Sequence, residues 1–488
     1  MGIYNHSHSS PKPLQGVDLI TIALYLTMVA AGWFTIYAAG FDPEQTIREI
    51  TISGRSQSQL IWMGASFATG LALLLMDRRL LRASAPFLYA LTLLILVATI
   101  FIAPNIKGSH SWLVITETVR IQPAEFAKVT TAMMLAWWTS RYEFDISKPR
   151  ELIVALAIFL LPILIIILQS ETGSALVFLA FVLVLYREGL TSAVPFYGIL
   201  LVTLFVLTLR YNGVLWGATN ASLLLISITI YIAVAITTIG YCELPYRWWL
   251  PTLAPLPVAM ILAFVISLFR AVDYSIWALI ALGAVLIITL VQSFQHRGKH
   301  LWLAALVALL SLGLTSGVDY FFDHILQPHQ QTRILVSLGM KDDPSGAGYN
   351  VRQSLIAIGS GGATGKGYLQ GTQTKLSFVP EQDTDFIFCT LAEELGFIGS
   401  LLLMALFTAL LLRLIYISER QVDPYVRTYG YSVAAIIFFH LTINIGMVIG
   451  LVPVIGIPLP FFSYGGSSLL SFTILLFILL RLDQRRQA

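Results

Sequence analysis

Between Asp319 and Asp385 the chain carries seven carboxylates (Asp319, Asp323, Asp342, Asp343, Glu381, Asp383 and Asp385) and five cations (Arg333, Lys341, Arg352, Lys366 and Lys375). A carboxylate can take a proton as a general base, and arginine or lysine can meet the oxygens of a phosphate. Nine glycines lie between Gly339 and Gly371, a quarter of the 35 in the chain, and bare backbone lets an anionic ligand come close. A loop this long is either functional or disordered. Apolar patches such as Leu355-Ile356-Ala357-Ile358 and Phe386-Ile387-Phe388 favour an ordered one. Asp343 is a candidate base, although an Asp-Pro pair also starts turns, and Asp342 beside it is a rival. There is no GxxxxGK[ST] string to suggest nucleotide use, and the eight histidines offer nothing like HExxH.

The elements that must hold these residues are membrane helices. Of the 488 residues 57% are hydrophobic and 11% charged, against about 25% charged in an average soluble domain. The net charge of +3 implies no polyanionic partner, so nucleic acid is excluded as a starting point. A crossing helix needs about 20 apolar residues. Spans are expected near 17–39, 59–76, 84–103, 122–139, 151–169, 172–186, 192–209, 219–241, 252–269, 274–292, 300–317, 386–413, 428–450 and 462–481, fourteen in all. The expected class is therefore an all-α integral membrane protein with about fourteen transmembrane helices and one large outer loop.

Orientation follows the cationic loops. With the N-terminus inside, 17 of the 29 Lys and Arg fall in inner loops, which places both termini in the cytoplasm and residues 318–385 outside. Two cysteines, Cys242 and Cys389, are too few for a disulfide framework or a CxxC site, and this topology sets them on opposite sides.

Two further constellations stand out. Glu125 and Lys128, spaced i and i+3, share a helix face near the start of the fourth span, after Pro123 in its first turn. They read either as a structural ion pair or as a pair lining a substrate cavity. Glu393 and Glu394 follow in a stretch that is apolar to Leu412, longer than one crossing needs. Residues 385–396 then read as an interfacial helix, with the crossing starting near Phe397 and a structural role for both glutamates.

The wording of these segments resembles the SEDS family, the RodA/FtsW/SpoVE group of cell-wall polymerases. The resemblance rests on Asp343-Pro-Ser-Gly-Ala-Gly-Tyr-Asn-Val-Arg-Gln-Ser354, Ala357-Ile-Gly-Ser-Gly-Gly362, Gly365-Lys-Gly-Tyr-Leu-Gln-Gly-Thr-Gln373 and Pro380-Glu-Gln-Asp-Thr-Asp-Phe-Ile-Phe388. Ala392-Glu-Glu-Leu-Gly396, Asn444-Ile-Gly-Met-Val-Ile-Gly450 and the run Pro453–Ser468 follow in family order. Upstream, Gln122-Pro-Ala-Glu-Phe-Ala-Lys128 and Gln169-Ser-Glu-Thr-Gly-Ser-Ala175 resemble two more motifs. The resemblance covers roughly 17–190 and 320–482, and the 366–373 wording is nearer the elongation branch, RodA, than FtsW. Two positions depart from the pattern. Ser111 stands where the family has arginine before Trp112, so a basic contact is either missing or supplied by His110, and Glu171 stands where it has aspartate, which keeps the charge on a longer arm. The family has ten spans, so four of the five candidates in 192–317 are extra, an even insertion that keeps the loop outside.

The resemblance implies glycosyl transfer between lipid II molecules, with inversion and with undecaprenyl pyrophosphate leaving. Such a reaction needs one base and a cationic environment rather than paired carboxylates, because pyrophosphate leaves without a strong general acid. Asp343 matches the family's base. Arg333 matches a family arginine and is the first choice for the diphosphate, with Lys366 second and Arg352 and Lys375 on the same loop. Gln353, Ser354, Glu125 and Lys128 join the substrate-binding set by motif. No metal ligand set is assigned, although a divalent cation held by Glu381, Asp383 or Asp385 is compatible with the residues. The implied partners are a class B penicillin-binding protein, which supplies the transpeptidase this chain lacks, and other elongation-machinery membrane proteins. The penicillin-binding protein is expected against spans 386–413 and 428–450. The implied location is the bacterial inner membrane, in cell elongation and shape maintenance. The expected organisation is residues 1–191 as N-terminal core helices, 192–317 as an expanded helical region, 318–396 as the catalytic loop and 397–488 as C-terminal core helices. The alternative is a lipid II flippase. Transporters show broken helices and midplane polar sites, often in repeated halves, whereas here the distinctive residues cluster on one loop.

Overall fold

The computed structural model describes residues 16–41, 54–106, 108–116, 120–241, 246–295, 302–326, 328–341, 347–376 and 378–484. The chain divides into two units, the first formed by Met1–Leu190 and Pro344–Ala488 and the second by Thr191–Asp343. A helix occupies each of the fourteen expected positions. Among the described residues eleven helices are long and apolar enough to cross a membrane, with Thr172–Arg187 and Trp302–Val318 as shorter apolar ones. The protein is a multi-pass membrane protein.

The first unit holds α1 (Leu19–Ala39), α2 (Gly54–Leu75), α3 (Arg78–Ile102), α4 (Pro123–Thr139), α5 (Pro149–Leu168) and α6 (Thr172–Arg187). A two-stranded hairpin of β1 (Leu113–Val114) and β2 (Arg120–Ile121) precedes α4. The second unit holds α7 (Ala193–Arg210), the pair β3 (Leu215–Trp216) and β4 (Thr219–Asn220), and α8 (Ala221–Ile236). It continues through α9 (Tyr246–Leu253), α10 (Pro255–Ser267), α11 (Tyr274–Gln295), α12 (Trp302–His324) and α13 (Pro328–Ser337). The chain then re-enters the first unit with α14 (Ala347–Gly361), α15 (Thr372–Lys375), α16 (Ile387–Glu419), α17 (Pro424–Val448) and α18 (Gly466–Asp483). The long polar segment is thus shared between the units.

Helix starts follow ordinary capping chemistry. Asp18, Asp77 and Asp423 each accept a backbone N–H two residues on, opening α1, α3 and α17. Proline begins α4, α5 and α17, where a missing N–H costs nothing. Burial identifies the centre of the first unit. Along their most apolar stretches α18 is 78% and α17 67% buried, against 22–39% for the other long helices of that unit. In α4, thirteen of seventeen residues are buried. Tyr25 of α1 packs edge to face on Phe461 and on Phe477 of α18, and Phe461 does so on Phe472 of α18. The second unit has its own apolar clusters, one of them around Leu204, Ile230, Val234 and Val285.

The 33 residues of α16 exceed a single crossing, and the helix breaks at Gly396 (φ 64°, ψ −159°). The break is where residues 361–367 dock. Phe397 N–H donates to Gly362 O at 2.9 Å and Ile398 N–H to Ala363 O at 3.1 Å, while the carbonyls of Glu393 and Glu394 accept from Lys366 and Gly367. A Cβ on Gly361, Gly365 or Gly396 would fall 2.0–2.2 Å from facing backbone atoms, so only glycine permits this approach.

Candidate functional site

The first unit contains two lysine–glutamate pairs with different surroundings. Glu125 lies in the first turn of α4 and Lys128 one turn on, which brings Lys128 Nζ to 2.9 Å from Glu125 Oε2. The same ammonium lies 2.8 Å from His440 Nε2 of α17 and 4.8 Å over the Phe472 ring of α18. His440 Nδ1 is 3.0 Å from the Pro458 carbonyl. A carbonyl can only accept, so Nδ1 carries the proton and Nε2 offers its lone pair to the ammonium. Ser471 Oγ donates to Glu125 Oε2 at 3.0 Å. None of Glu125, Lys128, His440 and Ser471 is more than 3% exposed, so charge and counter-charge are sealed into one polar knot joining α4, α17 and α18.

The second pair organises the loop. Glu393 Oε1 accepts from Lys366 Nζ at 2.7 Å, Thr372 N–H at 2.8 Å and Gln373 N–H at 2.9 Å, and Oε2 accepts from Thr374 N–H at 3.0 Å. Three successive amides converge because α15 is a single turn whose leading N–H groups have no partner within it. Lys366 also donates to Thr372 Oγ1 at 2.7 Å. Glu394, buried beside it, accepts from Leu369 N–H at 3.1 Å. Tyr368 donates its hydroxyl to Phe34 O at 3.0 Å. Burial pushes that hydroxyl up to about 12, so it stays a neutral donor.

Other motif residues tie the segments to each other. Arg55 Nη1 lies 2.6 Å from Asp383 Oδ1, and Asp383 O accepts from Tyr464 N–H at 2.8 Å. Gln382 Nε2 donates to Ala39 O and Thr374 O, both at 2.8 Å. Asn444 Nδ2 donates to Asp385 O at 2.9 Å and Ile457 O at 2.7 Å. Gln122 Nε2 reaches Ser174 Oγ at 3.1 Å, joining the two upstream motifs. The two positions that depart from the family pattern meet each other, since Ser111 Oγ donates to Glu171 Oε2 at 3.0 Å. His110 turns its Nδ1 to Ala103 O at 2.9 Å instead.

Asp342, Asp343 and Cys242 lie outside the described residues. Arg333 is exposed on α13 of the second unit, and Arg352 is exposed on α14 of the first. Gln353 is half-buried, whereas Ser354 is buried with its hydroxyl on Val448 O at 2.8 Å, fastening α14 to α17. Lys375 lies 5.5 Å over the Phe41 ring. Lys366 spends its charge on Glu393. Among the described residues no three His, Cys, Asp or Glu stand together as a metal site, and Asp383 is committed to Arg55. Sequence reasoning left His440, Ser471 and Arg55 unassigned. His440 is 312 positions from Lys128, beyond any spacing rule, and a histidine in an apolar span was its only signal.

Comparison with known proteins adds the context for these motifs. The FtsW/RodA/SpoVE family, described as "Cell cycle protein", matches residues 18–219 and 220–488. A peptidoglycan glycosyltransferase RodA of Treponema pallidum is 29% identical over 97% of this chain and 99% of its own length. A peptidoglycan glycosyltransferase MrdB of Escherichia coli is 30% identical over 79% of this chain and 74% of its own. Among solved structures, a chain of a peptidoglycan synthase complex that coordinates polymerization and crosslinking shares the fold. Its TM-score is 0.59 at 21% identity, covering 96% of this chain and 99% of that one.

Proposed function

This chain belongs to the FtsW/RodA/SpoVE family, and from that membership we propose that it is a peptidoglycan glycosyltransferase that polymerises lipid II in the bacterial inner membrane. The observation that carries the reading is the relatedness to a named peptidoglycan glycosyltransferase along nearly the whole of both chains. The reaction forms one bond from a sugar hydroxyl oxygen of the acceptor to the anomeric carbon of the donor. As it forms, the bond from that carbon to the diphosphate breaks, the configuration inverts, and undecaprenyl pyrophosphate leaves with the electron pair. Asp343 takes the hydroxyl proton. Arg333, Arg352 and Lys375 are assigned to the diphosphate, where cations stabilise charge developing on the leaving group. Lys366 is assigned to the loop it braces through Glu393. Glu125 and Lys128 hold the helices that carry the loop. Both termini lie in the cytoplasm and the Asp343 segment outside, in reach of a class B penicillin-binding protein that crosslinks the strands. The product serves cell elongation and cell shape.

Purified full-length protein supplied with lipid II, with contaminating polymerases inhibited, is expected to yield glycan strands. Lipid II translocation without strands would establish the flippase in its place.

A further inference from the structure

Arg55, at the start of α2, bonds to Asp383 of the loop. The other end of α2, about 30 Å away at 1.5 Å per residue, leads into a cavity of about 320 Å³. It opens between the start of α3, the α16–α17 turn and the end of α18. Arg78, Arg79 and Arg82 line it, with Asp423, Asp483 and Tyr425. Both acids are matched by arginine. Asp423 Oδ2 lies 3.3 Å from Arg82 Nη1, while Asp483 pairs with Arg420 and accepts from Gln421 Nε2 at 2.5 Å. Arg79 is exposed and has no ion-pair partner among the described residues. The leading ends of α3 and α17, each partly positive, meet here as well.

Tyr425 supplies an independent observation. It is 1% exposed and its ring lies 5.1 Å from the Arg82 guanidinium. Its buried hydroxyl has no hydrogen-bond partner among the described residues, and the residue lines the cavity. A buried donor without an acceptor is costly, and an anionic oxygen in this cavity removes the cost. Part of the lining is apolar: Val422, Val426 and Leu482 belong to it, Val422 is exposed, and Leu75, Met76 and Leu80, next to the arginines in sequence, are exposed as well. Cations and an orphan hydroxyl inside, with aliphatic side chains at the edge, match a phosphate that carries acyl chains better than a free one.

We propose that this cavity binds the phosphate headgroup of an anionic phospholipid at the membrane–water interface opposite the loop. Arg78 and Arg79 meet the phosphate oxygens, Tyr425 donates its hydroxyl, and the acyl chains lie along the rim. Basic pockets between helices at one membrane surface are a general form of such recognition.

The test is native mass spectrometry of the full-length protein with equal amounts of dioleoyl phosphatidylglycerol and dioleoyl phosphatidylcholine. The wild type is expected to retain phosphatidylglycerol selectively. Each arginine near an anionic headgroup is worth roughly fivefold, so Arg78→Gln/Arg79→Gln should bind about 30-fold more weakly. Tyr425→Phe, which removes one oxygen, should weaken retention about fivefold. Arg150→Gln, which removes one charge from an exposed arginine of α5, should change nothing. Equal retention by the double variant and wild type would overturn the proposal. So would full displacement of the lipid by inorganic phosphate, which would make this a free-phosphate site. Should the double variant fail to fold, wild-type retention must still weaken as salt rises, and salt-independent retention would overturn the proposal.

Discussion

Two lysine–glutamate pairs of similar length, Glu125–Lys128 at 2.9 Å and Glu393–Lys366 at 2.7 Å, do different work because of what surrounds them. The first is sealed among helices, with His440 accepting from the ammonium and Ser471 donating to the carboxylate. Its worth is mutual, since either charge alone is stranded in a low-dielectric core. In the second pair the lysine is a quarter exposed and the glutamate wholly buried. Glu393 there serves three backbone amides before it serves Lys366. The partners are interdependent in the core, whereas in the loop one residue dominates. A salt bridge of given length therefore says little about function until the other bonds to each partner are counted.

That contrast can be broken in a definite order. The largest effect belongs to Lys128→Met, which strands Glu125 and should cost about 3–5 kcal/mol of stability, read by thermal unfolding in detergent. The double variant Glu125→Gln/Lys128→Met should recover most of that loss, and failure to recover would mean the lysine acts without its partner. Next comes Glu393→Gln, which weakens several charge-assisted bonds at once and should cost roughly 2–3 kcal/mol. The cost should appear as faster hydrogen exchange at Thr372, Gln373 and Thr374, with exchange in α17 unchanged. The smallest belongs to Lys366→Met, about 1 kcal/mol or less because the lysine reaches solvent. This variant also separates strut from ligand. As a strut, Lys366 affects loop exchange and leaves KM for lipid II near wild type; a raised KM with undisturbed loop exchange would return it to the diphosphate.

How much of this could be read in advance follows the range of each interaction. Glu125 and Lys128 were legible as a pair because three residues is nearly one helical turn. The division of α16 was legible too, since residues 386–413 exceed a crossing, and the helix does break at Gly396. The Glu393–Lys366 pair was not, because 27 residues separate its members and the glycines around Lys366 suggested a phosphate cradle. Those glycines instead admit the backbone of α16. The Ser111–Glu171 contact had the same difficulty: each position departs from the family pattern by itself, 60 residues from the other, and only the fold brings the two together. The membrane class and the helix positions were legible from apolar run length alone. The partition into two units was harder, because α12 and α13 carry part of the polar segment into the inserted region.

The role of Asp343 is the central claim, and one measurement addresses it directly: strand synthesis from lipid II by purified Asp343→Asn beside Asp342→Asn and wild type. Asparagine keeps size and hydrogen bonding but cannot accept the proton, so Asp343→Asn should lose about 10²–10⁴-fold in rate while lipid II binding persists. Asp342→Asn, the same charge change one residue away, should stay within a few-fold of wild type. Equal rates for Asp343→Asn and wild type, or the large loss falling on Asp342→Asn instead, would contradict the account.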